Sequence, residues 1–423
     1  MRAWDRNVWV VKSHGRLTKL RSIALGCVAA VGIVALLVLL LGPLAWWATP
    51  SKHLQGKDKT DARNGTRQVL LTAVGGTAAL VGLIFTAQTF RLGRRGQLAD
   101  RYSKATAQLA SDNQTERLGG IYALEHVMGE SVRDHGAVVD MLAAFIRERR
   151  PLKVRVDDLA EEGSVCADGD QAASGTAEVR EQVPADVQAA LTVLGRRPRR
   201  PERHRIDLRN TDLTGADLEG AYFVNVSVEM SLLREANLAR ADLRGLMANN
   251  AILQDANLRG ARMQEADLEG VIGHGASLRG AQLNSATLRN SGFTEADAEG
   301  AKFEGAALDY AVFDNSIFND CDMREASLIG TRARRASFVG GRLQKANLSK
   351  AHLQQSNFSD ADLLGAKLDR AGLEGAIFHD VGVPDEVTVK GLTADQILSA
   401  FRDSATALPP DLRGLPPGLE RLR

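Results

Sequence analysis

The sequence predicts an all-β solenoid preceded by two transmembrane helices and a small α-helical module. Three observations carry that prediction. Residues 206–380 repeat every five positions without insertion or deletion, giving 35 consecutive blocks in one register. Residues 22–51 carry no charge, and residues 69–90 form a second uncharged stretch. Between the second stretch and the repeat, residues 97–150 place apolar side chains at helical spacing.

The segment 1–21 is basic, with Arg2, Arg6, Lys12, Arg16, Lys19 and Arg21. Residues 23–48 follow and are long enough to cross a bilayer, which takes about 20 residues. Trp46 and Trp47 close this span, where indole rings favour the membrane interface. Its apolar region is too long, and lacks the small-residue site, for a cleaved signal peptide. The second span offers Gly75, Ala79 and Gly82 for close helix packing. Its polar groups are Thr72, Thr77, Thr86 and Gln88, too few to suggest a conducting path. Arg91, Arg94, Arg95, Arg101 and Lys104 follow it. Although the loop between the spans holds Lys52, Lys57, Lys59, Arg63 and Arg67, tempered by Asp58 and Asp61, the positive-inside rule favours both chain ends in the cytoplasm. A multi-pass protein of the cell membrane is the expected location.

Three helices are expected next. Their faces are Leu98, Tyr102, Ala105 and Leu109; then Leu118, Ile121, Leu124 and Met128 behind a Thr115 cap; then Val138, Leu142, Phe145 and Ile146. Residues 151–183 hold eight Asp or Glu against three Lys or Arg and little to bury, which reads as a flexible acidic linker. A short helix begins at Pro184 and carries Val187, Ala190, Leu191 and Leu194, placed to dock on the start of the solenoid. Arg196, Arg197, Arg199, Arg200, Arg203 and Arg205 follow at once. They read as a solvated linker or, next to a membrane, as a site for anionic lipid in preference to nucleic acid.

In the repeat, the third residue of each block is Leu at 20 positions, Phe at eight and Met at two, and the first is Ala at 23. A period of five fits neither a strand nor a helix; it fits a chain that turns a corner every five residues with one large and one small side chain inward. Such a unit buries its apolar face only by stacking on its neighbours. Phe318, Phe338, Phe358 and Phe378 recur at every fourth block, which implies four blocks per coil, unless they cluster by chance. Departures at the large position are Val228, Ala248, Gly273, Ala298 and Ala333, and at the small one Leu246 and Val271. Either these are tolerated drift in a long repeat, or Leu246 offsets Ala248 within its block and Gly273 marks a local void or bend.

Runs such as Ala216-Asp217-Leu218-Glu219-Gly220 and Ala241-Asp242-Leu243-Arg244-Gly245 resemble the A-(D/N)-L-x-x motif of pentapeptide repeat proteins. The resemblance implies a right-handed quadrilateral β-helix, here of about nine coils and roughly 42 Å at about 4.8 Å per coil. The segment from Gly96-Gln97 through Arg117-Leu118-Gly119-Gly120-Ile121-Tyr122 is similar to one in actinobacterial membrane-anchored pentapeptide repeat proteins, in which it also follows two spans. After the repeat, Thr393 caps a final helix with Ile397, Leu398 and Phe401 on one face, and a Pro-rich, loosely ordered tail ends the chain.

The organisation expected is therefore a basic cytoplasmic N-terminus (1–21), a two-helix transmembrane hairpin (22–91), a helical juxtamembrane module (92–150), the acidic linker (151–183), a cap helix with the Arg-rich segment (184–205), the pentapeptide repeat β-helix (206–380) and a C-terminal cap with tail (381–423). No catalytic, cofactor-binding or metal-binding residue is assigned. Scattered histidines, the absence of a phosphate loop or nucleophile elbow, and the three cysteines Cys27, Cys166 and Cys321 without ligand spacing speak against an enzyme and a zinc site. The resemblance brings one known activity, protection of DNA gyrase by acidic, DNA-shaped solenoids. Here the repeat has 25 Asp and Glu against 18 Lys and Arg, and Arg234, Arg244, Arg262, Arg289, Arg332 and Arg335 interrupt any acidic stripe. The preferred expectation is a membrane-anchored scaffold that binds an unknown protein partner on the β-helix. The alternatives are a gyrase modulator, or a membrane component acting through its spans with the solenoid as spacer.

Overall fold

The structure, a computed structural model, describes residues 43, 45–48, 56–153, 183–379 and 389–416. The chain falls into two compact units, Met1–Leu98 and Ala99–Arg423. In the first unit, α1 (Ala45–Ala48) presents Trp46 and Trp47 to the outside. The rest of the first predicted span, apart from Pro43, lies outside the described residues. α2 (Lys57–Leu109) contains Thr60–Phe90, 31 residues whose most apolar 18-residue window has a mean hydropathy of 2.1 and no buried residue. Among the described residues it is the one helix long and apolar enough to cross a membrane. Its hydroxyls are satisfied within the helix. Thr72 donates to the Gln68 carbonyl (2.8 Å), Thr77 to Ala73 (3.0 Å), Thr86 to Gly82 (2.8 Å) and Thr89 to Phe85 (2.9 Å). None of these four side chains needs water for a partner.

In the second unit, the C-terminal end of α2 packs with α3 (Gln114–Glu130) and α4 (His135–Arg149), and both of these pack on α5 (Ala185–Arg196). Most of the predicted helical faces are buried, namely Ala105 and Leu109 on α2, Ile121, Leu124 and Met128 on α3, and Val138, Leu142, Phe145 and Ile146 on α4, whereas Leu98, Tyr102 and Leu118 are half-buried. The α3 cap differs from the expectation. Asn113 accepts from the Thr115 amide at 2.9 Å, so the cap lies before Thr115, on a side chain that reaches the orphan amide without Thr115 leaving the helix.

The repeat is a parallel β-helix with four five-residue sides per coil. β1 (Ile206–Asp207) pairs in parallel with β2 (Val226–Ser227), and isolated bridges continue the 20-residue offset, as in Asp242↔Arg262 and Ile252↔Ile272. Within a side, the third residue donates to the coil ahead (Leu243 N to Arg262 O, 2.7 Å) and the second to the coil behind (Asp242 N to Ala221 O, 2.9 Å). Most corners are β-turns closed from the third residue's carbonyl to the next block's first amide, as from Leu213 O to Ala216 N at 3.0 Å. The last turn residue has positive φ at every block from Asn210 to Gly375, the signature of a type II turn. Glycine fills this corner at Gly215, Gly220 and Gly245, and polar or bulky residues such as Glu235, Arg240 and Tyr310 occupy it elsewhere.

The inward positions form the core. Phe318, Phe338, Phe358 and Phe378 stack at 5.2, 4.9 and 5.3 Å with interplanar angles of 6°, 4° and 8°, as their regular interval requires. Gly273 is neither a void nor a bend: a Cβ there would lie 2.3 Å from Cε1 of Phe293, whose ring takes the space. Ala298 likewise sits between Phe293 and Phe303 in its own coil. Ala248 is not fully offset by Leu246. An axial void of about 10 Å³, lined by Ala248, Leu246, Leu243, Val228 and their neighbours, is too apolar to hold water. Cys321 is a buried small core residue whose thiol is pushed far up by burial, so it is inert. Cys27 and Cys166 lie outside the described residues.

Both ends of the solenoid are covered. At the start, the end of the helical module and the first residues of the segment expected as linker, 151 and 152, pair with the solenoid. Pro151 bridges Thr211 antiparallel, Leu152 N donates to Asn210 O (2.8 Å) and Asp212 N to Arg150 O (2.9 Å), which closes the first edge. α5 lies on the same coil, with the Gly195 carbonyl accepting from Tyr222 N at 2.8 Å. At the far end, α6 (Ala394–Leu398) has a complete Thr393–Gln396 capping box, and Gln396 Nε2 donates to the carbonyls of Leu363 and Ala366 at 3.0 and 2.8 Å. Phe401 and Ala407 bridge Gly372 and Ile377 as an irregular last coil. The expected loose tail is therefore tied down as far as its described residues run: Leu412 is buried, and Arg402 donates to the Leu415 carbonyl at 3.3 Å.

Two outcomes test this packing. Phe338→Ala, which removes the middle of the ring stack, should lower unfolding stability by about 3–5 kcal/mol in a denaturant titration. Gly280→Ala meets nothing within 4 Å, so its expected loss of about 1–2 kcal/mol comes from the left-handed backbone alone.

Candidate functional site: the seat and faces of the solenoid

Outward residues fall into four columns, each taking one residue from every coil, and they differ in chemistry. In the column Tyr222, Asp242, Arg262, Gln282, Lys302, Asp322, Arg342 and Asp362, charge is cancelled locally. Asp242 accepts from Arg244 at 2.7 and 2.8 Å and faces Arg262 at 3.6 Å. Asp322 accepts from Arg324 at 2.8 and 2.7 Å. The Arg324 hydrogen bond holds Asp322 below the ordinary carboxylate range; burial alone would raise Asp242, and Arg244 reverses that. A second column carries an amide ladder, with Asn257 donating to Asn237 and Asn237 to Asp217, both at 3.0 Å. Arg279 clips Asp297 (3.2 Å) and Glu299 (2.6 Å) on the same side. Guanidiniums thus neutralise carboxylates along these walls.

The third column, Ser227, Met247, Asp267, Thr287, Ala307 and Ser327, is mostly small or polar. The fourth is different: Leu232, Ile252, Ile272, Gly292 and Val312 place mainly aliphatic residues at outward positions over five coils. Sequence reading passes over it because the signal has the period of a whole coil and becomes visible only once the coil length is fixed.

The six arginines do not form one basic surface. Arg197 is buried, donates to the Leu194 carbonyl at 3.0 Å, pairs with Glu202, and lies 4.8 Å from the Tyr222 ring. Arg199 lies 5.1 Å from the same ring. Arg200 donates to the carbonyls of Met128 (2.8 Å), Gly129 (2.8 Å) and Ser131 (3.1 Å), capping the end of α3, and Arg205 donates to Gly245 O at 2.8 Å. Arg196, Arg199, Arg203 and Arg205 remain exposed, while Arg197 is buried and Arg200 half-buried. The reason is packing: orphan carbonyls at a helix end and a coil edge attract the nearest guanidiniums. A lipid site on the whole cluster has no support in this arrangement.

Two buried groups join the seat. Asp186, fully buried on α5, accepts from Arg117 Nε at 2.6 Å and Arg149 at 3.3 Å, and from the Val187 amide at 3.1 Å. Burial would raise its pKa, but the Arg117 hydrogen bond and charge bring it below the ordinary value. His135, 3% exposed at the start of α4, has its Nε2 3.8 Å from Glu202, beyond hydrogen-bond length. Burial first, then Arg200, lowers its pKa. Neither pairing was legible in sequence, since Arg117 and Asp186 are 69 residues apart. Among the described residues, no group of three or more His, Cys, Asp or Glu could hold a metal ion.

Comparison with known proteins gives one family. Residues 204–380 match the model described as pentapeptide repeats, in eight copies. Among solved structures, HetL, a pentapeptide repeat protein of the cyanobacterium Nostoc sp. strain PCC 7120 involved in heterocyst differentiation regulation, is 23% identical with a TM-score of 0.23. The match covers 49% of this chain and 93% of HetL. QnrB1, a plasmid-mediated fluoroquinolone resistance protein, is 18% identical with a TM-score of 0.25, covering 46% and 92%. A pentapeptide repeat protein from the Arabidopsis thaliana thylakoid lumen is 19% identical with a TM-score of 0.17, covering 34% and 70%. No curated protein matches. At such identities and scores, the repeat match itself carries the assignment.

Acid should unseat the helical module in two steps. His135 has a lowered folded pKa, so its contribution is complete above about 6.5 and is lost as pH falls below that. Asp186 is also lowered, and its contribution is complete above about 3.9 and lost as pH falls through the folded value. His135→Gln should flatten the first slope of a stability-versus-pH curve. Asp186→Asn should cost about 3–5 kcal/mol at neutral pH by leaving Arg117 buried without its counter-charge.

Proposed function

Residues 204–380 are pentapeptide repeats, and from that premise we propose that the protein is a non-catalytic scaffold that binds a protein partner on its β-helix while α2 anchors it in a membrane. The observation that carries the reading is the division of labour within each block. First and third residues are consumed in the core, backbone groups are spent between coils, and second, fourth and fifth residues stand outward in fixed register. That arrangement displays side chains at set spacing and encloses no reaction cleft.

The anchor is supported by the length, apolarity and exposure of Thr60–Phe90 and by threonine hydroxyls bonded within the helix. Two spans with both ends cytoplasmic remain the proposed topology, on the distribution of basic residues. Gyrase modulation by an acidic duplex-like surface is the less favoured reading, because Arg244, Arg279 and Arg324 neutralise the carboxylates beside them. A passive spacer would leave the aliphatic column without a use.

The test is affinity capture from detergent-solubilised membranes with the full chain and with a chain beginning at Ala99, the start of the second compact unit. Partners common to both support the scaffold. Partners lost with residues 1–98 move the function to the membrane part, and a set dominated by topoisomerase subunits replaces the scaffold with the modulator.

A further inference from the structure

We propose that the column of Leu232, Ile252, Ile272, Gly292 and Val312 is the seat for a cationic amphipathic helix of a partner protein, laid along the solenoid axis. This rests on the scaffold reading and names the class of partner. Leu232, Ile272 and Val312 are half-buried and Ile252 is buried. A Cβ on Gly292 would meet nothing within 4 Å, so the column has an open notch between Ile272 and Val312.

The rims set the charge of the occupant. The residues within three positions of the column (229–235, 249–255, 269–275, 289–295 and 309–315) include seven carboxylates and two guanidiniums. Four of the seven already face a basic group: Glu229 faces Arg209, Glu295 His274, Asp309 Arg289 and Asp314 Arg332. One of those guanidiniums, Arg289, is already held near Asp309 at 3.5 Å. Asp255 and Glu269, on opposite rims, are exposed and have no ion partner among the described residues. The column ends at Arg332, which pairs with Asp314 at 2.7 Å beside the exposed Arg334 and Arg335. An apolar strip between acidic rims repels nucleic acid and anionic lipid and attracts Lys or Arg flanking an apolar stripe.

Backbone accounting selects a helix over a strand. Ile252 N donates to Ser231 O at 2.9 Å, and the Ile252 carbonyl accepts from Leu233 N at 2.7 Å. With such groups spent coil to coil, an added strand finds no edge to pair with. A helix needs none. It presents one apolar side chain per turn of about 5.4 Å, close to the rung spacing of about 4.8 Å. Five rungs span roughly 19 Å, the length of about 13 helical residues.

The probe is a labelled 14-residue Leu/Lys peptide with Leu at helical a/d spacing, titrated by fluorescence anisotropy against the full chain in uncharged detergent. A scrambled peptide of the same composition is the comparison. Saturable binding of the aligned peptide is expected, at least tenfold weaker for Asp255→Lys with Glu269→Lys, and for Ile272→Gln. Glu265→Lys with Asp320→Lys, an equal charge change away from the column, should leave it within twofold. Equal binding of the scrambled peptide, an equal loss in that comparison variant, or no saturable binding overturns the assignment. Thermal melts of each variant separate lost binding from lost folding. If the peptide fails while the unit from Ala99 still captures partners, this column is wrong and the scaffold stands; if capture also fails, the scaffold falls.

Discussion

Everything in the second unit depends on the hydrogen-bond register between coils. Each side gives two amides forward, from its third and fifth residues, and one backward, with bridges at a 20-residue offset, so a single inserted residue would exchange inward and outward places in every later block. That explains why 35 blocks carry no indel, and why the corner accepts side chains it would not choose. Left-handed φ at Glu235, Arg240 or Tyr310 costs about 1–2 kcal/mol locally, but leaving the corner would break the bonds to both neighbouring coils. Cooperativity between stacked units overrides the local preference.

The same logic makes the ends the difficult places. An uncovered coil exposes unpaired strand groups, and the chain answers differently at each end. At the start, residues 150–152 add an antiparallel segment and α5 lies across the coil, with Arg150, Arg197 and Arg205 spent on carbonyls and carboxylates. At the far end, one glutamine and an irregular coil suffice. Because the starting seat is built from buried ionic groups, it responds to pH through His135 and Asp186, as the wall does through Asp242 and Asp322. The stacked aromatic core has no comparable titrating group apart from inert Cys321.

Surface chemistry follows from what the register leaves free. Three columns are small, amide-rich or neutralised by neighbouring guanidiniums, and one is aliphatic between carboxylate rims. The excess of 25 acidic over 18 basic side chains in the repeat, summed without regard to position, hides that contrast. Counting charge favoured no partner, whereas placing it in columns separates a duplex-like surface from an amphipathic one.

The period of five, the inward Leu, Phe and Ala, and the regular Phe interval determined the coil and its core, because each of those side chains does the same job in every block. Helical faces from Ala105 to Ile146 and the Thr393 cap were legible for a similar reason: local spacing sets which side is buried. The tertiary structure alone decided that Arg117 meets Asp186, that Arg197 and Arg200 of the Arg-rich segment are spent on nearby carbonyls, that residues 150–152 join the solenoid, and that Gly273 makes room for Phe293. These contacts join positions whose proximity depends on how many blocks make one coil and how its ends are closed. The aliphatic column lies between the two cases. Its residues are in the sequence, but their alignment exists only after hydrogen bonds fix four blocks to a turn.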